Sequence, residues 1–345
     1  MLFWALFFIA VCLLTAQYKL GGTRRPAYFV YIGIIFIIFI AIFRFDVGFD
    51  YPAYYHSVYP RLALQKLDRI EPLSTQLFYI ADYFKYPPLV FILFGLITYG
   101  FAFYALKKYT DDFFLATLVF ITFFFMTTMG VIRQGAAMGV ILFSYKYIKD
   151  FCLWKYALCV MLAWSLHASA AVAICIPIIY RYFNFKLLII CVAGLFALFK
   201  CGMSLVEDNL LGYENYLKHM DDMEGGKFTR IVYVAINVIM FYLARHSKKE
   251  VYPLLYISSL GCAFPFIFGG HLGGRIANYF LIFLCISIPN TLRVYVRPVR
   301  RVAASVLFLY FIAIVFISSR NKEKSPYTPY QTIFTVDLEH PVFKK

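Results

Sequence analysis

The sequence predicts an all-α, polytopic membrane protein with about twelve crossings (11 to 12), and three observations predict it. The chain is 62% hydrophobic and 21% aromatic, with only 15% charged residues, a balance far from that of a soluble domain. Apolar runs long enough to cross a hydrocarbon core of about 30 Å recur along almost its whole length, each bracketed by charge. The charges between those runs also sort by side, once one long run is folded back on itself. No soluble domain is left over, so the chain reads as a single transmembrane domain over 1–345.

Taken in order, the run MLFWALFFIAVCLLTAQYKL has no basic residue before it and no small-residue cleavage site after it. It is read as a first membrane helix over 2–20. Further spans are predicted over 27–43, 87–106, 113–129, 131–148, 154–181, 186–203, 228–244, 251–269, 274–290 and 302–319. Two loops, 44–86 and 204–227, and a tail over 320–345 are placed on one face, outside the cytoplasm. Within the first loop, LSTQLFYIADYFKY reads as an amphipathic helix lying on the membrane surface.

The run 154–181 decides the topology. A single crossing would put the basic RHSKKE loop outside and the acidic 204–227 loop inside, inverting the usual charge bias. A turn at SLHASAA, with two half-length helices meeting near His167, restores it. About half of the chain's 33 cations then share one face with only Asp111, Asp112, Asp150 and Glu250 among its 18 acids. That face is cytoplasmic by the positive-inside rule, and both termini lie outside. The net charge of +15 is then mostly topology and gives no reason to invoke nucleic acid. The eight cysteines lie mostly within apolar spans without a C-x-x-C pair, and read as small core residues.

Polar residues that topology does not explain gather on the outer face. Arg44, Asp46 and Asp50 follow the second helix; Arg133 and Gln134 open the fifth; His167 sits at the turn; His271 and Arg275 open the helix from 274. Three helices starting near Val131, Ala168 and Gly274 direct their N-termini to this face. With Arg133, His167 and Arg275 beside those starts and Arg44 nearby, the pattern suits a highly charged anion such as a diphosphate. GVIRQGAAMG and GGHLGGR let backbones approach one another or a ligand. Asp46 or Asp50 can pair with an arginine while the other accepts a proton or binds a sugar hydroxyl. Tyr51, Tyr54, Tyr55 and Tyr59 suit either sugar stacking or an interfacial belt, and Glu71 and Tyr79 join the same surface. His56, His219, His246 and His340 lack any such context. No metal-ligand cluster or cofactor motif is visible.

The ordered set FRFDVGFDYPAYY, VIRQGAAMGVILFSYKYI, SLHASAAVAI, GRIANYF and YTPYQ resembles the EpsG family, a branch of the Wzy-type bacterial polysaccharide polymerases, over roughly residues 40 to 331. The resemblance implies a GT-C-like glycosyltransferase in the bacterial cytoplasmic membrane. It would polymerise oligosaccharide repeat units of O-antigen, capsule or exopolysaccharide, carried on undecaprenyl diphosphate, with its site facing the periplasm or outer leaflet. By motif, Arg44, Asp50 and Tyr54 match the first pattern, Arg133 and Gln134 the second, His167 the third, and Arg275 with Tyr279 the fourth. Where the family often has an acidic residue before the last arginine, this chain has Gly273 and Gly274.

The expected catalytic set is therefore His167, Asp50, Arg133 and Arg275. Arg44, Asp46, Tyr51, Tyr54, Glu71, Gln134, His271 and Tyr279 are expected to bind substrate. The arginines would stabilise a departing diphosphate, and His167 or Asp50 would take the proton of the acceptor hydroxyl. A chain-length regulator and a flippase are the expected partners. A lipid-linked oligosaccharide flippase or exporter, or a ligase adding a single unit, would use similar residues. The inner-half segments ILFSY and LIFLCISI are nearly free of ionisable groups, which favours a one-sided enzyme over a transporter.

Overall fold

A computed structural model describes residues 28–58, 70–207, 225–247, 249–320, 327 and 330–334. The predicted first span, most of the 204–227 loop and most of the tail lie outside those residues, as do the side chains of His56 and His271. Among the described residues, apart from one two-residue strand pair, the regular structure is helical.

Apolar helices dominate because a chain in lipid must satisfy its own backbone. Helix α1 (Tyr28–Ile42) leads to strand β1 (Arg44–Phe45), and α2 (Asp50–Pro52) continues as a π turn, Ala53–Val58. The surface helix α3 (Pro72–Tyr83) precedes α4 (Leu89–Tyr109), whose last turn carries Lys107 and Lys108. Those cations suit the negative end of its dipole. Asp112 caps α5 (Phe113–Phe120) by accepting the Leu115 N–H at 3.0 Å. A π turn, Ile121–Phe125, joins α5 to α6 (Met126–Gly130), and Val131 breaks the run before α7 (Ile132–Phe143) and α8 (Tyr145–Lys149).

Next come α9 (Leu153–Leu166), a 3-10 segment (Ala168–Cys175), α10 (Ile176–Tyr182), α11 (Phe185–Glu207) and α12 (Gly225–Ala244). Helix α13 (Tyr252–Ile267) and a π turn, Gly269–Gly273, lead to α14 (Gly274–Leu281), α15 (Leu284–Leu292) and α16 (Arg297–Arg320). Strand β2 (Gln331–Thr332) pairs antiparallel with β1.

Leu89–Tyr109, Phe113–Gly130, Lys249–Ile267 and Gly274–Leu292 are long and apolar enough to cross a membrane, and six shorter apolar helices accompany them. The chain is a multi-pass membrane protein. Its outer surface carries large apolar side chains such as Leu198, Trp154, Ile231 and Leu309, suited to lipid contact.

The predicted turn at His167 is present. Tyr156 Oη donates to the Ala173 carbonyl at 2.6 Å, whereas in one straight helix those residues would stand about 25 Å apart. Tyr182 packs edge-on against Phe151, so the two half-helices end side by side. Three acids assigned to the basic face pair with cations of that same face: Asp111 with Arg293, Asp112 with Arg300, and Glu250 with Lys149.

Close backbone approach explains the small residues. A Cβ on Gly139 would lie 2.7 Å from the Thr98 carbonyl oxygen, so glycine lets α7 sit against α4. On Gly273 it would overlap the Phe264 carbonyl oxygen, where the turn after α13 folds back onto that helix. Both glycines thus serve contact between backbones.

Candidate functional site

One end of the helical bundle brings together Asp50, Glu71, Arg133 and His167. Glu71 is the residue before α3, followed by Pro72, which suits the first helical turn because it has no N–H to satisfy. Glu71 Oε1 accepts the Ala168 N–H at 2.7 Å. His167 Nδ1 lies 3.2 Å from the same oxygen, at ion-pair distance but off the line of a straight hydrogen bond. Glu71 Oε2 pairs with the Arg133 guanidinium.

Three residues on, Ser74 Oγ donates to the Leu166 carbonyl at 2.6 Å. The E-P-L-S segment therefore satisfies backbone groups on both sides of the His167 break: the carbonyl before it and the N–H after it. Irregular backbone inside a membrane protein requires such partners. The fold pins His167, itself extended at φ −157°, where two half-helices meet.

Arg133, in the first turn of α7, also donates from Nε to Tyr54 Oη at 2.6 Å, and its guanidinium lies over the Tyr54 ring, 5.4 Å from the centroid. Asp50 Oδ2 accepts the Ile132 N–H at 3.2 Å and shares a hydrogen bond with Tyr54. Asp50 opens α2, so Asp50 and Tyr54 reach the cluster together. Gln134, from the same turn as Arg133, donates from Nε2 to the Arg275 carbonyl at 2.6 Å, tying α7 to α14. Tyr279 Oη and Ser169 Oγ lie 3.1 Å apart. Among the described residues the Arg275 guanidinium has no hydrogen-bond or ion-pair partner, although its charge acts on Asp50 and Tyr279.

The two carboxyls respond oppositely to this setting. Burial pushes Asp50 above the ordinary carboxylate range, against the opposing pull of Arg133 and Arg275. Burial also works against the Glu71 carboxylate, but the His167 contact, the Ala168 N–H and the Arg133 charge outweigh it and bring its pKa down to about 2. Glu71 is a fixed anion, and Asp50 is the carboxyl better able to hold a proton.

Several sequence expectations find other places. Arg44 is 2% exposed and donates to three backbone carbonyls: Val47 at 2.8 Å, Met129 at 2.7 Å and Ala41. It satisfies the ends of α1 and α6 and takes no part in the cluster. Tyr51 is 1% exposed, stacked on Phe91 with ring centroids 3.8 Å apart, and belongs to the core. Asp46 is exposed in a left-handed turn at φ 49°.

Two of the three helix starts expected to be open to an anion already hold protein carboxylates: Ile132 N–H holds Asp50, and Ala168 N–H holds Glu71. A carboxylate that reaches the orphan N–H groups first removes them as a ligand site. The bridging role of Glu71 and the contact of Ser169 with Tyr279 were not signalled by spacing, because the contacts join segments nearly a hundred or more residues apart. Among the described residues, no group of His, Cys, Asp and Glu side chains is arranged to hold a metal ion.

Arginine, histidine and carboxyl groups are costly to bury together in a helical membrane bundle, and here they partner one another. The chain belongs to the EpsG family, whose family model matches residues 27–332. That family is linked to exopolysaccharide biosynthesis. No curated protein and no solved structure matches the chain.

Proposed function

We propose that the protein is a glycosyltransferase that polymerises oligosaccharide repeat units carried on undecaprenyl diphosphate. The observation that carries this reading is the convergence of Arg133, Arg275, His167 and Asp50 from separate parts of the chain at one end of the bundle. Family membership and the one-sided placement of these groups support it. In this reading the chain crosses the bacterial cytoplasmic membrane about twelve times in a GT-C-like arrangement. Both termini and the cluster then face the extracytoplasmic side.

The reaction joins two lipid-linked units. The acceptor hydroxyl oxygen attacks the anomeric carbon of the donor chain, the bond from that carbon to the diphosphate oxygen breaks, and undecaprenyl diphosphate leaves with the bonding pair. Negative charge grows on the leaving group, and arginines aimed at it lower the barrier without themselves reorganising. Arg275, unpaired among the described residues, suits the diphosphate best. Arg133, already held by Glu71 and Tyr54, suits a fixed position beside the reacting sugar. The acceptor proton goes to His167 or to Asp50, both within the cluster.

Purified protein supplied with a lipid-diphosphate-linked repeat unit as sole substrate should yield a product ladder spaced by one unit. A single added unit would make it a ligase. Movement of the lipid across a vesicle bilayer with no new glycosidic bond would make the cluster a transport site and overturn the proposal.

A further inference from the structure

Glu71 was expected to bind sugar, yet its carboxylate is already engaged by this chain. Oε1 takes the Ala168 N–H and lies beside His167 Nδ1, Oε2 takes Arg133, and the side chain is 11% exposed. We infer that Glu71 is a positioning residue: its anion holds the proton of neutral His167 on Nδ1, leaving Nε2 as the basic nitrogen, and fixes Arg133 beside it.

A neutral imidazole carries one N–H and one lone pair, and the partner of one nitrogen decides which form prevails. A carboxylate cannot donate, so the nitrogen it faces is stabilised as N–H. The tether is rigid on both sides: Ser74 and Glu71 hold the backbone flanking His167, and Pro72 opens the helix between them. The other charged or titratable groups bordering His167 and Glu71 are Arg133 from α7, Asp50 and Tyr54 from the first loop, and Tyr279 and Arg275 from α14. Of these, Glu71 is the anion in direct contact with the ring.

The catalytic meaning of this arrangement rests on the polymerase reading, but the proton's position does not. Full-length protein in detergent, labelled with ring-15N histidine, reports the tautomer directly. Subtracting the spectrum of His167→Gln identifies the His167 signals among those of six histidines. At alkaline pH, His167 should show a protonated Nδ1 and a bare Nε2. Glu71→Gln, which keeps the shape but leaves a neutral acceptor, should move the ratio toward Nε2–H by about fivefold, since a charged acceptor roughly doubles the strength of the interaction.

Glu71→Asp, with its charge withdrawn by one methylene, should fall between them and serves if the glutamine variant does not fold. A wild-type proton on Nε2, or one ratio in all three proteins, would overturn the inference. If the tautomer follows Glu71 but wild-type protein makes no ladder, Glu71 keeps its positioning role and the polymerase reading falls. If wild type makes a ladder, Glu71→Gln should reduce kcat with KM nearly unchanged.

Discussion

Arg44 and Arg133 are both largely shielded arginines beside helix ends, and their partners give them different work. Arg44 spends its donors on three carbonyls that would otherwise be orphaned in a dry interior. Arg44→Ala should cost on the order of 3 kcal/mol or more and lower the apparent melting temperature in detergent, with loss of monodisperse protein. Arg133 holds side chains of the cluster. Arg133→Ala should give folded protein that leaves single repeat units on the lipid and makes no polymer.

Asp50 offers a test with a pH sign. Burial raises its folded-state pKa, so the carboxyl contributes most to stability at acid pH, where it carries its proton, and loses that contribution as pH rises through the folded value. Asp50→Asn resembles the protonated form throughout. Its melting temperature relative to wild type should therefore be near equal at about pH 4 and grow more favourable at higher pH. A constant difference across pH would show that burial does not govern this group.

At the scale of elements, the broken helix at His167 depends on a short helix from another part of the chain. Ser74→Ala leaves the Leu166 carbonyl without its hydroxyl donor and should cost about 1–3 kcal/mol. Because the same segment carries Glu71, activity should fall further than stability alone explains, read as turnover on protein matched for folded fraction. The contact of α4 with α7 is set by glycine: Gly139→Val would force the helices apart and with them Arg133 and Gln134, which α7 carries. The expected result is loss of both yield and activity, measured by gel filtration and product ladder.

In the proposed topology the whole molecule is organised by the turn at His167, since every later loop would change side with it. The Tyr156 to Ala173 hydrogen bond and the packing of Tyr182 on Phe151 require the fold-back. In a background with all eight cysteines replaced, Asp150→Cys and Arg181→Cys should both be shielded from a membrane-impermeant maleimide added to intact cells. Phe84→Cys, exposed at the far end of α3, should react. Labelling of Arg181→Cys from outside without Asp150→Cys would mean that the segment crosses once, and would reverse the later topology.

The sequence by itself determined the class of molecule, the placement of the described apolar helices and the turn at His167, because apolar length and flanking charge act locally and along one axis. It also named most of the cluster: Asp50, Tyr54, Arg133, Gln134, His167 and Arg275 stand out as polar residues that topology does not require. Tertiary structure alone decided what each of them touches. Arg44 and Asp50 lie six residues apart in one motif, yet one holds helix-end carbonyls and the other an amide of α7. Glu71 lies outside the motif residues, but it reaches Arg133 and the Ala168 amide through contacts spanning 62 and 97 positions. Spacing along a chain cannot encode such pairings, because they depend on where separate helices come to rest. A buried carboxylate between two cationic or polar partners exists only once packing has excluded the water that would otherwise solvate it.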